Sequence, residues 1–324
     1  GFDLGASDRK VALVKDGKLA LDASGEPLLS AEYPWDPKQE TDADWHYEKI
    51  MEILNIAYRK LKAYDAEAEV QAIGGSAAGI YLDNRVRIAS LCRGITPGQR
   101  FEKEAAPIFE RIQEAWGGIP LRVENDGDVS ALAGAASLGE GPVLGIALGS
   151  SLAAGYVDEA GRIPGWLNEL AFAPVDYNPE APVDEWSGAH GVGALYFSQQ
   201  AVGRLIPAAG ISMPDIDEDD LPNRLVRVQE LAEEADDRAL AVYRTIGTYL
   251  GYTLAHYSDF YVPMKYVEML GRVVTGTGGR IIQERARDVL DRDFPAISAQ
   301  VSFYEPDERE KRHGQAEAAA HLPG

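Results

Sequence analysis

The sequence predicts an α/β protein built from two related halves, and three observations point there. Apolar segments of strand length alternate with segments of helical apolar spacing along most of the chain. Gly1-Phe-Asp-Leu-Gly-Ala-Ser7 is matched in spacing and residue type by Gly145-Ile-Ala-Leu-Gly-Ser-Ser151. Each copy runs on into an apolar strand and a turn, as a duplicated unit would. Short glycine and apolar runs also match by chance, so the repeat adds to the alternation and does not replace it. Finally, three glycine-bearing turns follow strands: Gly5-Ala-Ser-Asp8, Gly149-Ser-Ser-Leu152 and Gly276-Thr-Gly-Gly279.

Taken in order, Val11–Val14 and Leu19–Leu21 flank Asp16-Gly17, a strong hairpin signal because both turn positions favour positive φ. Only Gly1 and Phe2 precede Asp3. Strands run about five or six residues, so further residues are expected upstream. Leu28–Tyr33 reads as a strand, Asp44–Tyr64 as a helix with apolar residues at Trp45, Ile50, Ile53, Leu54, Ala57 and Leu61, and Val70–Ile73 as a strand ending at Gly74-Gly75. A helix near Phe101–Trp116, the strand Leu121–Val123 and the helix Val129–Ala136 follow. The second half reads as helices over Gly188–Leu205, Leu221–Ala235 and Asp237–Tyr261, a strand over Tyr266–Val274 and a helix over Arg280–Leu290.

With 324 residues, the chain is long enough for two domains and a sizeable core. Its net charge of -21 disfavours binding to nucleic acid, which rests on Lys and Arg neutralising phosphates, and to anionic membranes. No apolar run is long enough to span a bilayer, and no basic start precedes an apolar stretch. The lone cysteine, Cys92, excludes an internal disulfide and a multi-cysteine zinc site, and fits a reducing cytoplasm.

Glycine turns at strand ends bring backbone amides close to an anion, and open α/β sheets bind ligands there. None of the three has Walker or dinucleotide spacing, and each alone is also an ordinary turn. Glu124-Asn-Asp-Gly-Asp128 joins a strand to a helix. One of its carboxylates serves as a general base toward a hydroxyl, or as an N-cap, and Asp126 and Asp128 are able to divide these two roles.

These segments carry a family resemblance. Asp3-Leu-Gly-Ala-Ser7 resembles the first phosphate loop of the ROK sugar kinases, relatives of hexokinase and actin. Val123-Glu-Asn-Asp126 resembles their sugar and base motif, and Leu148–Gly155 their second phosphate loop. Ile246–Gly251, Pro263 and Val267–Gly271 resemble the adenosine side, and Gly314–Ala320 the closing helix. The match keeps its order over nearly the whole chain.

The resemblance implies a two-lobed actin-like ATPase (ribonuclease H-like) fold with a duplicated βββαβαβα core. Its lobes would be residues 1–127 with 312–324, and residues 128–311. It implies an ATP-dependent kinase acting on a hydroxyl of a sugar or polyol, cytoplasmic and a homodimer. Asp126 would be the catalytic base. Ser76, Asn125 and Glu169 would bind substrate, and His190, between Gly188 and Gly191 in the altered segment beside the expected pocket, is a further substrate contact or else a surface or turn residue. Gly5, Ala6, Ser7, Gly149, Ser150, Ser151, Gly271 and Gly276 would bind nucleotide, and Asp3 would face magnesium through phosphates or water.

The sequence departs from the family pattern at named places. The Gly-Glu-x-Gly-His segment reads Asn168-Glu-Leu-Ala-Phe172, so phenylalanine stands for histidine. The zinc cysteines are absent from Trp186–Tyr196, which excludes structural zinc on ligand count. Tyr196 stands where a sugar-binding glutamate is usual, and Ser151 where glycine is usual. A non-catalytic sugar or nucleotide sensor derived from such kinases is the alternative.

Overall fold

The computed structural model describes the chain except Ala6, Thr96, Pro97, Gln99 and Gly324, and only the backbone of residues 308–312. The call of Ala6 as a nucleotide ligand therefore lies outside the described residues. Two compact units form, Gly1–Ser137 with Asp307–Gly324, and Leu138–Pro306.

In the first unit the strands are β1 (Phe2–Leu4), β2 (Asp8–Ala12), the short hairpin β3 (Val14–Lys15) and β4 (Lys18–Leu19), and β5 (Ser30–Pro34). Asp16 and Gly17 turn that hairpin with φ of 51° and 75°, as the Asp-Gly signal predicts. Helix α1 (Ala43–Tyr64) starts on the side chain of Asp42, which caps the Asp44 amide. There follow β6 (Ile73–Ala77), the pair β7 (Ile80–Leu82) and β8 (Arg85–Ile88), α2 (Ile108–Ala115), β9 (Leu121–Asn125) and α3 (Asp126–Leu138). Five strands make one sheet in the order β5-β2-β1-β6-β9, with β1, β6 and β9 parallel.

The strand expected over Val70–Ile73 begins only at Ile73 and runs through Gly74-Gly75 to Ala77, as β6. A Cβ on Gly74 would lie 1.6 Å from the Ala319 carbonyl oxygen, and one on Gly75 2.2 Å from the Phe2 ring. These glycines let the last helix, α9 (Glu308–Ala319), and a core ring sit against the strand. Gln315 on α9 also donates to the Asp126 carbonyl, at 3.0 Å, and to the Ser130 hydroxyl, at 2.6 Å. Boundaries at 127/128 and 311/312 would cut through α3 and α9, which these bonds join within one unit.

His46 on α1 is 2% exposed. Its two ring nitrogens each lie 2.8 Å from a carbonyl oxygen, of Asp42 and of Leu91, and its ring meets Trp35 and Trp45 edge-on. His46→Ala should lower the unfolding free energy by about 1–3 kcal/mol, because it leaves both packing and a buried carbonyl unsatisfied. Urea denaturation reads this directly, and an unchanged midpoint would contradict it.

In the second unit the order is β10 (Val143–Leu148), β11 (Leu152–Val157), α4 (Gln199–Ala208), α5 (Leu221–Glu233) and α6 (Asp237–Tyr257). Then come β12 (Tyr266–Leu270), α7 (Gly276–Asp293), the single turn α8 (Pro295–Ser298) and β13 (Ser302–Tyr304). The sheet runs β11-β10-β12-β13. Here β10 is antiparallel to β11 and parallel to β12, as β1 is to β2 and β6. The duplication foreseen from fourteen residues is thus a repeat of topology. No described strand takes the place of β5, and residues 158–198 form 3₁₀ turns and isolated bridges instead.

That segment accounts for one misread helix. The apolar spacing over Gly188–Leu205 predicts a helix, but α4 begins only at Gln199, capped by Ser198. Likewise Phe101–Trp116 splits into a π-turn and α2 around Pro107, and α7 takes in Gly276–Gly279 as its first turn. Among the described residues no helix is long and apolar enough to cross a membrane.

Candidate functional site

In the first unit, register places a polar row across an otherwise apolar sheet. Asp3 on β1 stands opposite Lys10 on β2 and opposite Ser76 on β6, and Ser76 stands opposite Glu124 on β9. The Ser76 hydroxyl donates to Asp3 Oδ1 at 2.8 Å. The Lys10 ammonium lies 3.4 Å from Asp3 Oδ2 and 3.3 Å from Asp8 Oδ1. Burial pushes the Asp3 carboxyl above the ordinary range, and Lys10 and Ser76 offset this only in part. Burial pulls Lys10 down, but Asp3 and Asp8 outweigh it and hold the ammonium charged.

Ser76 is fully buried, which makes it a residue that orients Asp3. Lys10 escaped the sequence reading, although Asp3 and Lys10 are symmetric about the Gly5–Asp8 turn, a signal for cross-strand charge pairing. The turn itself closes with the Gly5 amide donating to the Asp8 carbonyl at 2.9 Å, while the Trp35 indole donates to the Gly5 carbonyl at 2.9 Å. The exposed Ser7 hydroxyl donates to Asp8 Oδ2 at 3.0 Å.

The sheet delivers Asn125 and Asp126 at the end of β9, where α3 begins. Asn125 takes the capping role: its Oδ1 accepts the Gly127 amide at 2.8 Å, and its Nδ2 donates to the Gly79 carbonyl at 2.8 Å. One N–H and one lone pair of its amide remain for a ligand hydroxyl. Asp126 is half-buried in the first turn of α3, with Oδ1 accepting the Gly127 amide at 3.0 Å. The positive end of the helix favours its charge. Asp128, by contrast, is buried.

The second unit repeats the glycine turn. The Gly149 amide donates to the Ser151 carbonyl at 2.9 Å, and the Gln199 amide to the Gly149 carbonyl at 2.9 Å. Both turn glycines thus use their amides within the turn, while Ser150 and Ser151 stand exposed. Gly271 has φ of 91°, and a Cβ there would lie 2.5 Å from the Leu148 carbonyl oxygen. Gly276, with φ of 65°, opens α7. Glu233 on α5 accepts the Thr277 amide at 2.8 Å and its hydroxyl at 2.9 Å. The first turn of α7, expected as an open anion nest, therefore already carries one of the chain's own carboxylates.

Glu169 immediately precedes a 3₁₀ turn, Leu170–Phe172, without capping it by its side chain. Its carboxylate is half-buried and takes no hydrogen bond or ion pair among the described residues. Burial pushes its carboxyl above the ordinary range. A raised carboxyl pKa disfavours the fold above the unfolded value and has no effect well below it. Glu169→Gln should therefore raise the melting temperature at pH 7, with the gain fading toward about pH 4. Calorimetry at the two pH values checks this, and a lower midpoint at pH 7 would contradict it.

His190 lies exposed on the segment after that turn, its Nδ1 3.3 Å from the Ala181 carbonyl oxygen. Tyr196 is buried, with its hydroxyl donating to Asp176 Oδ2 at 2.5 Å. It borders a cavity of about 440 Å³ with Tyr249, Tyr252 and His256. The Cys92 thiol is buried and pushed up to about 12, which makes it inert.

Among the described residues no three His, Cys, Asp or Glu side chains gather to hold a metal ion. The oxygens of Asp3 are engaged by Ser76 and Lys10. This set suits a hydrated cation that arrives with phosphates, and does not suit a cation held by the protein alone.

No protein-family model matches the sequence, and no curated protein matches it. Solved structures match over its full length. The ROK hexokinase of Thermus thermophilus is 22% identical with a TM-score of 0.71, over 99% of this chain and 97% of that one. A ROK family glucokinase from Streptomyces griseus, solved with glucose and AMPPNP, is 18% identical with a TM-score of 0.65, over 99% and 97%. A ROK family transcriptional regulator, a homolog of the E. coli MLC protein, is 19% identical with a TM-score of 0.71, over 99% of this chain and 77% of that one. At these identities the likeness is one of fold: the chain has the actin-like ATPase fold of the ROK hexokinases and glucokinases.

Proposed function

We propose that this chain, sharing the fold of the ROK hexokinases and glucokinases, is an ATP-dependent kinase that phosphorylates a hydroxyl of a sugar or polyol. The observation that carries the reading is the pair at the start of α3. Asn125 is fixed at the helix start and keeps hydrogen-bonding capacity, and the half-buried Asp126 carboxylate, whose Oδ1 also accepts the Gly127 amide, stands next to it in the first turn of α3. Asp126 acts as general base while the hydroxyl oxygen attacks phosphorus. Glu169 accepts a further substrate hydroxyl, and His190 is a second substrate contact.

The turns at Gly5–Ser7 and Gly149–Ser151, with Gly271 and Gly276, bind the nucleotide. Lys10 supplies a fixed positive charge beside the first turn, and Asp3 faces the hydrated cation. Magnesium, when bound with ATP, neutralises phosphate charge. The protein is cytoplasmic and works as a homodimer, with neither zinc nor nucleic acid taking part.

The sensor reading is the second one. It is favoured by the regulator of the same fold and by phenylalanine at position 172. An ADP-release assay with magnesium across hexoses, amino sugars, polyols and nucleosides separates the two. Release that depends on one of these compounds supports the kinase. Compounds that raise the melting temperature yet never release ADP support the sensor.

A further inference from the structure

Tyr249, Tyr252, Thr253 and His256 stand at i, i+3, i+4 and i+7 on α6, so one side of the helix carries all four. With Asp176 and Tyr196 they line the cavity of about 440 Å³, whose lining lies wholly within the second unit. Sites for small molecules run from about 300 to 1,000 Å³ and are walled by aromatic rings with a few placed polar groups. Tyr196 and Tyr249 meet edge to face with ring centroids 5.2 Å apart, and the Tyr196 hydroxyl donates to Asp176 Oδ2. A carboxylate therefore sits against the tyrosine cluster.

That carboxylate is charged and has no cation on it. The Tyr196 hydroxyl and the Asn178 amide, 2.9 Å from Oδ1, hold Asp176 below the ordinary carboxylate range. Among the described residues no cationic side chain comes within ion-pair distance of it. Arg204 instead lies over the Tyr196 ring, 4.9 Å from its centroid, and donates to the Leu195 carbonyl at 2.5 Å. The cluster thus already takes a cation on a ring face. Two of its rings are enriched in electrons, because Tyr196 donates to Asp176 and Tyr252 donates to Asp293 at 2.7 Å. Thr253 is 6% exposed, and its hydroxyl makes no hydrogen bond among the described residues. A buried hydroxyl with capacity to spare is one that a ligand hydroxyl would satisfy.

We infer that this cavity binds a small organic cation, a quaternary ammonium carrying a hydroxyl as choline does, with Asp176 and the tyrosine rings on the cationic head and Thr253 on the hydroxyl. Both carboxylate oxygens already accept a bond, so the head is held by charge and ring faces and has no need of N–H donors. A bare metal ion would need more oxygens, and among the described residues no three His, Cys, Asp or Glu side chains gather. The net charge of -21 raises the local concentration of any cation. The site needs neither ATP nor a sugar, so it stands apart from the kinase reading.

Isothermal titration calorimetry of the full chain at fixed ionic strength tests this. The probes are choline, tetramethylammonium and the neutral alcohol in which carbon replaces the choline nitrogen. Choline is expected to bind roughly tenfold or more tighter than the neutral alcohol, and several-fold tighter than tetramethylammonium. Asp176→Asn and Tyr249→Leu should each remove most of the advantage over the alcohol, and Tyr249→Phe should keep it. Thr253→Val should bring choline down to the level of tetramethylammonium. Circular dichroism confirms that each variant is folded, and Tyr249→Leu carries the test should Asp176→Asn prove unfolded. The neutral alcohol binding as tightly as choline would overturn the inference. So would no binding of choline, or a choline affinity that survives both Asp176→Asn and Tyr249→Leu. Displacement of choline by potassium at equal concentration would overturn it too, since it marks diffuse attraction to an acidic surface.

Discussion

Asp126→Asn is expected to lower sugar-dependent ADP release by about 10²–10⁴-fold, the usual contribution of a general base. The substitution is nearly isosteric, and the bonds that set the start of α3 survive it. Asn125 still accepts the Gly127 amide, and Gln315 still donates to the backbone carbonyl at position 126. The melting temperature should therefore stay close to that of the native protein, and sugar should still bind. A variant that kept turnover within a few-fold of the native rate would remove Asp126 from the chemistry. If release fell together with stability, the residue would be a helix-capping group, the other role its position allows.

Gly271→Ala should destabilise the second unit by about 3–5 kcal/mol. The backbone there has φ of 91°, a region that side chains rarely adopt. The added Cβ would also meet the Leu148 carbonyl oxygen, carbon and nitrogen at 2.5, 2.6 and 2.8 Å. These are main-chain atoms at the end of β10, where Leu148 pairs with Leu152 of β11, and they have no rotamer into which to retreat. Chemical denaturation measures the loss. A change below about 1 kcal/mol would mean that the strand end relaxes freely, and would leave nucleotide contact as the reason for glycine there.

Local signals in the sequence were read correctly where the physics is local. The Asp16-Gly17 hairpin needs only its own positive φ values, and α1 needs only its apolar face and the Asp42 cap. That the strand continues through Gly74 and Gly75 is not legible locally, because the reason for these glycines lies far along the chain, in Ala319 on α9 and in the Phe2 ring. A glycine required for close approach and a glycine required for a turn look the same in one sequence. The apolar run before Gln199 follows a helical period, yet its residues pack as an irregular segment against the second core. Its periodicity records burial and not helix.

At the candidate site, Asp3, Asn125 and Asp126 are proposed from the resemblance of their segments to the ROK motifs, since residue chemistry alone leaves Asp126 and Asp128 able to divide the roles of base and cap. Partnerships across strands were harder. Lys10 comes opposite Asp3 only once β1 and β2 are paired. Glu233 reaches Thr277 only once α5 lies beside the start of α7. The meeting of Asp176 with Tyr196 depends on the course of a segment without regular structure, and no periodic pattern announces it.

The central claim is that a phosphoryl group moves from ATP to a sugar or polyol hydroxyl. Phosphorus NMR of the protein with ATP, magnesium and each compound of the panel tests it most directly. The account predicts a new phosphomonoester signal, growing in step with ADP, for at least one compound with native protein and none with Asp126→Asn. ADP appearing only with inorganic phosphate, or no reaction with any compound that binds, would contradict it.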